Sequence, residues 1–80
     1  MQGNGKEKVL RIITKALGLK HEVAENASME TIAEWDSLGH LSMLTALDKE
    51  FSGKAADIKD LAKATSVKKI LELLKKEKLI

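Results

Sequence analysis

Apolar residues recur three and four apart over three stretches of this chain, the pattern of helices with one buried face. From Lys6 to Leu17 the stripe is Val9, Ile13, Ala16 and Leu17, with Lys6, Glu7, Arg11 and Lys15 left for solvent. Gly18 then offers the left-handed backbone that commonly closes a helix. A second stripe of Leu38, Leu41, Leu44 or Thr45, Leu47 or Asp48, and Phe51 predicts a helix from Ser37 to Phe51, turned towards the first and last helices. Met43 and Ala46 fall beside that stripe, on a face not obviously buried. Gly53 in Ser52-Gly53-Lys54 supplies the break after it. Ile58 and Leu61, three apart between Ala55 and Ala64, are enough for a short third helix of one or two turns. Thr65 is placed to cap a last helix whose stripe is Val67, Ile70, Leu71 and Leu74. Lys75, Lys76 and Lys78 complement the dipole at its end, while Lys68 and Lys69 oppose it at its start. The pattern leaves the packing of Leu79 and Ile80 open.

Between the first two helices, Leu19, Val23, Met29, Ile32 and Trp35 follow neither period. This predicts a long ordered loop held to the core by those side chains, with Ser28 capping a short turn over Met29 to Ala33. Met1 to Gly5 is small, polar and glycine-rich and is expected to fray. The sum is an all-α fold, a small four-helix bundle of three longer helices and one short one, forming a single domain over residues 1–80.

Composition narrows the chemistry. The chain of 80 residues has no cysteine, so no disulfide can staple it and any thiol chemistry must come from an attached group. It has no proline, and its abundant Leu, Ala, Lys and Glu favour helix. A net charge of +2 selects no partner. No apolar run reaches membrane-spanning length, and no signal-peptide core follows the first residues, so the expectation is a soluble, cytoplasmic, monomeric protein without a membrane partner. His21 and His40 lack the spacing and companions of a metal site. The lysines from Lys63 to Lys78 read as a solvated helix face rather than a nucleic-acid surface, because one Phe, one Trp and no Tyr give little for bases to stack on.

The chemistry-bearing stretch is Glu34-Trp35-Asp36-Ser37-Leu38-Gly39-His40-Leu41, where a loop turns into an apolar helix. A serine at a helix start is most often a cap and nothing more. Here Asp36 is the better cap, which leaves the Ser37 hydroxyl spare, near the positive end of the helix dipole where a phosphate is welcome. Gly39, with no side chain, is expected to keep the surface beside Ser37 open. Trp35 is expected to anchor the loop, and His40 to be an incidental exposed histidine within reach of a phosphate or a partner.

Trp35-Asp36-Ser37-Leu38-Gly39-His40-Leu41, with Ala46-Leu47-Asp48-Lys49-Glu50-Phe51 behind it and Thr65-Ser66-Val67-Lys68-Lys69-Ile70 downstream, resembles the acyl carrier protein family. The likeness runs from about Lys6 to Lys76. It rests on Asp-Ser-Leu at the head of the second helix, a Phe at that helix's end and a Thr-Ser-Val element in register. It implies a non-catalytic carrier, not an enzyme. Ser37 would receive 4′-phosphopantetheine from coenzyme A by way of a phosphopantetheinyl transferase, with Asp36 and Leu38 flanking the attachment point. Acyl intermediates of fatty-acid, polyketide or related pathways would travel on the arm as thioesters, served by acyl-loading, elongating and acyl-transferring enzymes. A chain without cysteine offers no competing thiol.

The family's acidic second helix is depleted here, since Gly39 and Ser42 stand two and five after the serine and Lys49 follows Asp48. Docking is therefore expected on a more apolar surface of Leu38, Gly39, His40, Ser42, Met43 and Ala46. Leu44, Leu47, Ile58 and Leu61, with the small Ala55 and Ala64, are the candidates for an acyl pocket, although all six also suit an ordinary core. Two other readings stand beside this one: a peptidyl or aminoacyl carrier of a nonribosomal pathway, and a small helical interaction or nucleic-acid-binding domain in which Ser37 only caps.

Overall fold

The computed structural model describes residues 5–80, and their fold is all-α, with no strand among the described residues. Helix α1 spans Gly5–Leu17, α2 Ser37–Glu50 and α3 Val67–Lys76. Between α2 and α3 lie two 3₁₀ helices, Ala55–Asp57 and Lys59–Lys63. The expected fraying of Met1 to Asn4 lies outside the described residues, whereas Gly5 already belongs to α1.

Local chemistry sets the ends of α1. Gly18 takes φ +70°. Its N–H donates to the Lys15 carbonyl at 3.1 Å and that of Leu19 to the Thr14 carbonyl at 3.0 Å, the paired bonds of a Schellman closure. The helix buries Val9, Leu10, Ile13 and Leu17, so Leu10 joins the expected stripe and Ala16 is only half-buried.

α2 is rotated from the expected orientation. Met43 and Leu47 are fully buried, while Leu38 and Leu41, placed in the predicted stripe, are 75% and 60% exposed. Apolar residues lie on every side of this helix, so spacing supports more than one buried face. Packing against α1 makes the choice, and these two helices contact each other more extensively than any other pair. Gly39 faces the Leu17 side chain there. The helix stops at Glu50 with Phe51 as its C-cap, and Ser52 as well as Gly53 takes a left-handed backbone (φ +55° and +86°).

The long loop is ordered by hydrogen bonds to its neighbours. Thr14 Oγ1 accepts the Val23 N–H at 2.9 Å, holding the loop to α1. The Met29 N–H donates to the Thr65 carbonyl and the Val67 N–H to the Ala27 carbonyl, a short antiparallel bridge that holds it to α3. Since this bridge draws residue 65 into extended pairing, Ser66 rather than Thr65 caps α3, accepting the Lys69 N–H at 3.2 Å. The turn after Ser28 is closed by Thr31, whose hydroxyl oxygen accepts the Ser28 N–H, instead of by the Ser28 side chain. Val23, Ala27 and Trp35 drop from the loop into the core.

The expected short third helix is a pair of 3₁₀ helices because Ile58 between them is extended (φ −91°, ψ 93°). α3 buries Val67, Ile70, Leu73 and Leu74 and half-buries Leu71. Leu79 and Ile80 pack on the same core.

Candidate functional site

The corner before α2 is built around Trp35, which is 1% exposed and whose N–H donates to the Ile32 carbonyl at 3.1 Å. The buried ring fixes the loop just short of the helix. Asp36 follows with an extended backbone (φ −99°, ψ −167°). Its Oδ1 accepts the Gly39 N–H at 2.8 Å, and its carbonyl accepts the His40 N–H at 2.8 Å. Asp36 is thus the N-cap that the sequence predicts.

Ser37 is the first helical residue and is exposed. Its hydroxyl takes part in no hydrogen bond among the described residues, because Asp36 already does the capping. The N–H groups of Ser37 and Leu38, at the open end of the helix, have no acceptor among the described residues and are available to an anion. The first turn of α2 holds no acidic residue. Exposed Glu30, Glu34 and Asp36 lie instead in the segment leading to Ser37.

His40 departs from expectation: it is a half-buried tie rather than an incidental exposed histidine. Its Nδ1 accepts the Trp35 indole N–H at 2.9 Å, and its Nε2 lies 3.0 Å from the Leu61 carbonyl. The two ring planes lie within 17° of each other at a centroid distance of 6.1 Å, the near-coplanar placement that an in-plane N–H···N bond requires. An indole N–H only donates and a carbonyl only accepts, so the ring is neutral with its proton on Nε2. Nothing in the spacing identifies Leu61 as the partner, because the contact crosses 21 residues.

The expected docking residues separate into two groups. Leu38 and Ser42 are exposed, and so is Leu41, which the sequence reading left out of the site. Leu41 follows Ser37 by one helical turn, and that spacing is the signal for it. Met43 is fully buried and cannot meet a partner. Ala46 is half-buried in a groove between α1 and α2. Gly39 is half-buried too, and does not keep the surface open: a Cβ there would strike the Glu34 carbonyl and approach Leu17 Cδ2 to 2.9 Å. Its missing side chain admits the returning loop and α1.

Of the acyl-pocket candidates, Leu44, Ile58 and Leu61 line one cleft of about 300 Å³ between α2 and the 3₁₀ helices, together with Thr45, Asp48, Ala55 and Lys59. Leu47 and Ala64 lie in the core and do not line it. Asp48 Oδ1 accepts the Ala56 N–H at 2.9 Å, tying one wall of the cleft to the other. The described residues contain no group of three or more His, Asp or Glu side chains placed to hold a metal ion, and no helix long and apolar enough to cross a membrane. No protein-family model matches the chain, and neither the curated proteins nor the solved structures include a significant match.

Proposed function

We propose that this chain is an acyl carrier protein whose Ser37 is the attachment point for 4′-phosphopantetheine. The observation that carries the reading is the solvent-facing Ser37 hydroxyl at a helix start where Asp36 already serves as the cap. In the attachment step the Ser37 oxygen displaces the nucleotide part of coenzyme A at phosphorus, losing its proton and leaving a phosphodiester on the serine. The neighbouring N–H groups of Ser37 and Leu38 are oriented to support that phosphate. Once attached, the group supplies a terminal thiol that holds an acyl chain as a thioester. The protein's own residues perform no catalysis; they present the hydroxyl, orient the corner and offer a surface to the enzymes.

On this reading the two 3₁₀ helices stand in for the short third member of a four-helix bundle. The cleft lined by Leu44, Ile58 and Leu61 is the place an acyl chain would rest. Leu38 and Leu41 present an exposed apolar pair to the phosphopantetheinyl transferase and to the acyl-loading, elongating and acyl-transferring enzymes. The setting is a cytoplasmic monomer serving fatty-acid, polyketide or related biosynthesis.

The test is intact mass after incubation with coenzyme A and a broad-specificity transferase. The expected result is a gain of one phosphopantetheine that Ser37→Ala abolishes. An unchanged mass, or a gain that survives Ser37→Ala, removes the carrier reading. In that case a salt-dependent mobility shift with DNA or RNA would favour a nucleic-acid-binding domain.

A further inference from the structure

The geometry points to His40 as a proton-operated latch on the Ser37 corner: the neutral imidazole ties the loop before Ser37 to the wall of the cleft, and protonation opens the tie. Trp35 stands two residues before Ser37, His40 three residues after it, and Leu61 lines the cleft. One imidazole therefore joins three parts of the fold, taking the indole N–H of the loop and giving its own N–H to the Leu61 carbonyl.

The ring can do this in only one state. Both partners are fixed in role, since the indole has no lone pair to offer and the carbonyl no proton. Adding a proton at Nδ1 sets two N–H groups against each other 2.9 Å apart and removes the acceptor, so the Trp35 bond must break. The Leu61 bond survives, because Nε2 keeps its proton. Release is thus confined to the loop side of the latch, the side from which Asp36 and Ser37 follow.

Among the described residues, no titratable side chain is bonded to the imidazole. The charged residues beside its partners in sequence are Glu34 and Asp36 near Trp35, and Lys59, Asp60 and Lys63 near Leu61, all with exposed side chains. Histidine is the side chain whose charge ordinarily changes within the physiological range. Regulation of Ser37 by this latch rests on the carrier reading, whereas the latch itself rests on the hydrogen bonds alone.

Two measurements on the full chain test it. In NMR titrations of the wild type, the Trp35 indole N–H resonance is expected to shift with the same midpoint as the His40 ring. His21, exposed and with no hydrogen bond among the described residues, serves as the internal reference. An indole signal that stays fixed while His40 titrates, or that follows His21, overturns the latch, as does a His40 ring that never titrates in the folded chain. In His40→Gln the indole transition should vanish; in His21→Gln it should persist. If His40→Gln does not fold, the wild-type titration and His21→Gln alone decide. The second measurement is the rate of Ser37 loading from coenzyme A, as the ratio of wild type to His40→Gln, whose amide cannot take up the proton; that ratio should change as pH drops through the indole transition. A ratio independent of pH overturns the regulatory role. Absence of loading in every variant, with the indole transition intact, rejects the carrier reading and the regulation built on it while leaving the latch established.

Discussion

Gly39 lies against the backbone carbonyl of Glu34 so closely that no side chain fits between them. The contact lets the loop fold back over the first turn of α2 while Asp36 reaches the Gly39 N–H to cap it. By propensity alone, alanine at a helical position would stabilise by about 1 kcal/mol. Here the obstructing atom belongs to the backbone and the next, Leu17 Cδ2, to a packed side chain, so neither can swing aside at little cost. Gly39→Ala is expected to destabilise by about 1–3 kcal/mol. Urea denaturation measures it, and a rise in midpoint would show that the loop does not sit where the structure puts it.

The rotation of α2 makes a second prediction with opposite outcomes at neighbouring positions. Met43 is fully buried against the core, and truncating it to alanine should cost about 2–5 kcal/mol. Leu38→Ala and Leu41→Ala, at exposed sites, should change stability by no more than about 0.5 kcal/mol. If the carrier reading holds, those same two variants slow loading by the transferase. Thermal melts of the three variants distinguish this orientation from the one in which Leu38 and Leu41 face inward.

The sequence made the corner legible because capping is local. Asp36 and Gly18 each act within five residues of themselves, and both do what their chemistry predicts. The face of α2 was not legible, since Leu38, Leu41, Met43, Leu44 and Leu47 spread apolar surface round the helix, and only packing against α1 chooses. Thr65 and Ser66 are both able caps, and composition alone favours Ser66 only slightly. The choice between them is made by the bridge to Ala27 and Met29, far away in the chain. His40 escaped for the same reason, because its bond to the Leu61 carbonyl is a tertiary event. Within the candidate site, then, the exposed serine, its cap and the surface role of Leu38 could be read from sequence, and that of Leu41 could not.

Two helices end on residues poorly suited to the backbone they must adopt. Ser52 follows the Phe51 cap of α2 at φ +55°. Lys78 closes α3 at φ +60°, its N–H donating to the Lys75 carbonyl at 3.0 Å while the Leu79 N–H reaches the Leu74 carbonyl at 2.9 Å. A left-handed backbone costs a residue with a Cβ about 1–2 kcal/mol, and glycine avoids that at some entropic cost. Ser52→Gly and Lys78→Gly should therefore each stabilise by about 0.5–1 kcal/mol, and the double variant by close to the sum. Calorimetry on the three variants is sufficient, and destabilisation in both single variants would contradict the assigned backbone.

Asp48 separates the stability of the fold from the shape of the cleft. Its carboxylate holds the Ala56 N–H across the cleft that Leu44, Ile58 and Leu61 line, at a site exposed enough for water to replace much of the bond. Asp48→Ala should thus cost only about 0.5–1.5 kcal/mol overall. Locally the effect is larger, because the first 3₁₀ helix loses its tie to α2, and the Ala56 amide should exchange with solvent faster than the amides of α1. The consequence for cargo follows from linkage: a chain resting in the cleft stabilises the folded state, whereas one left in solvent does not. If the carrier reading holds, a long acyl chain in the loaded wild type should therefore raise the melting temperature more than a short one. Asp48→Ala should shrink that difference, since a wall free to move holds the chain less well. Equal melting temperatures for long and short chains in the wild type would mean that the cleft is not where the chain rests, and would assign its apolar lining to ordinary packing.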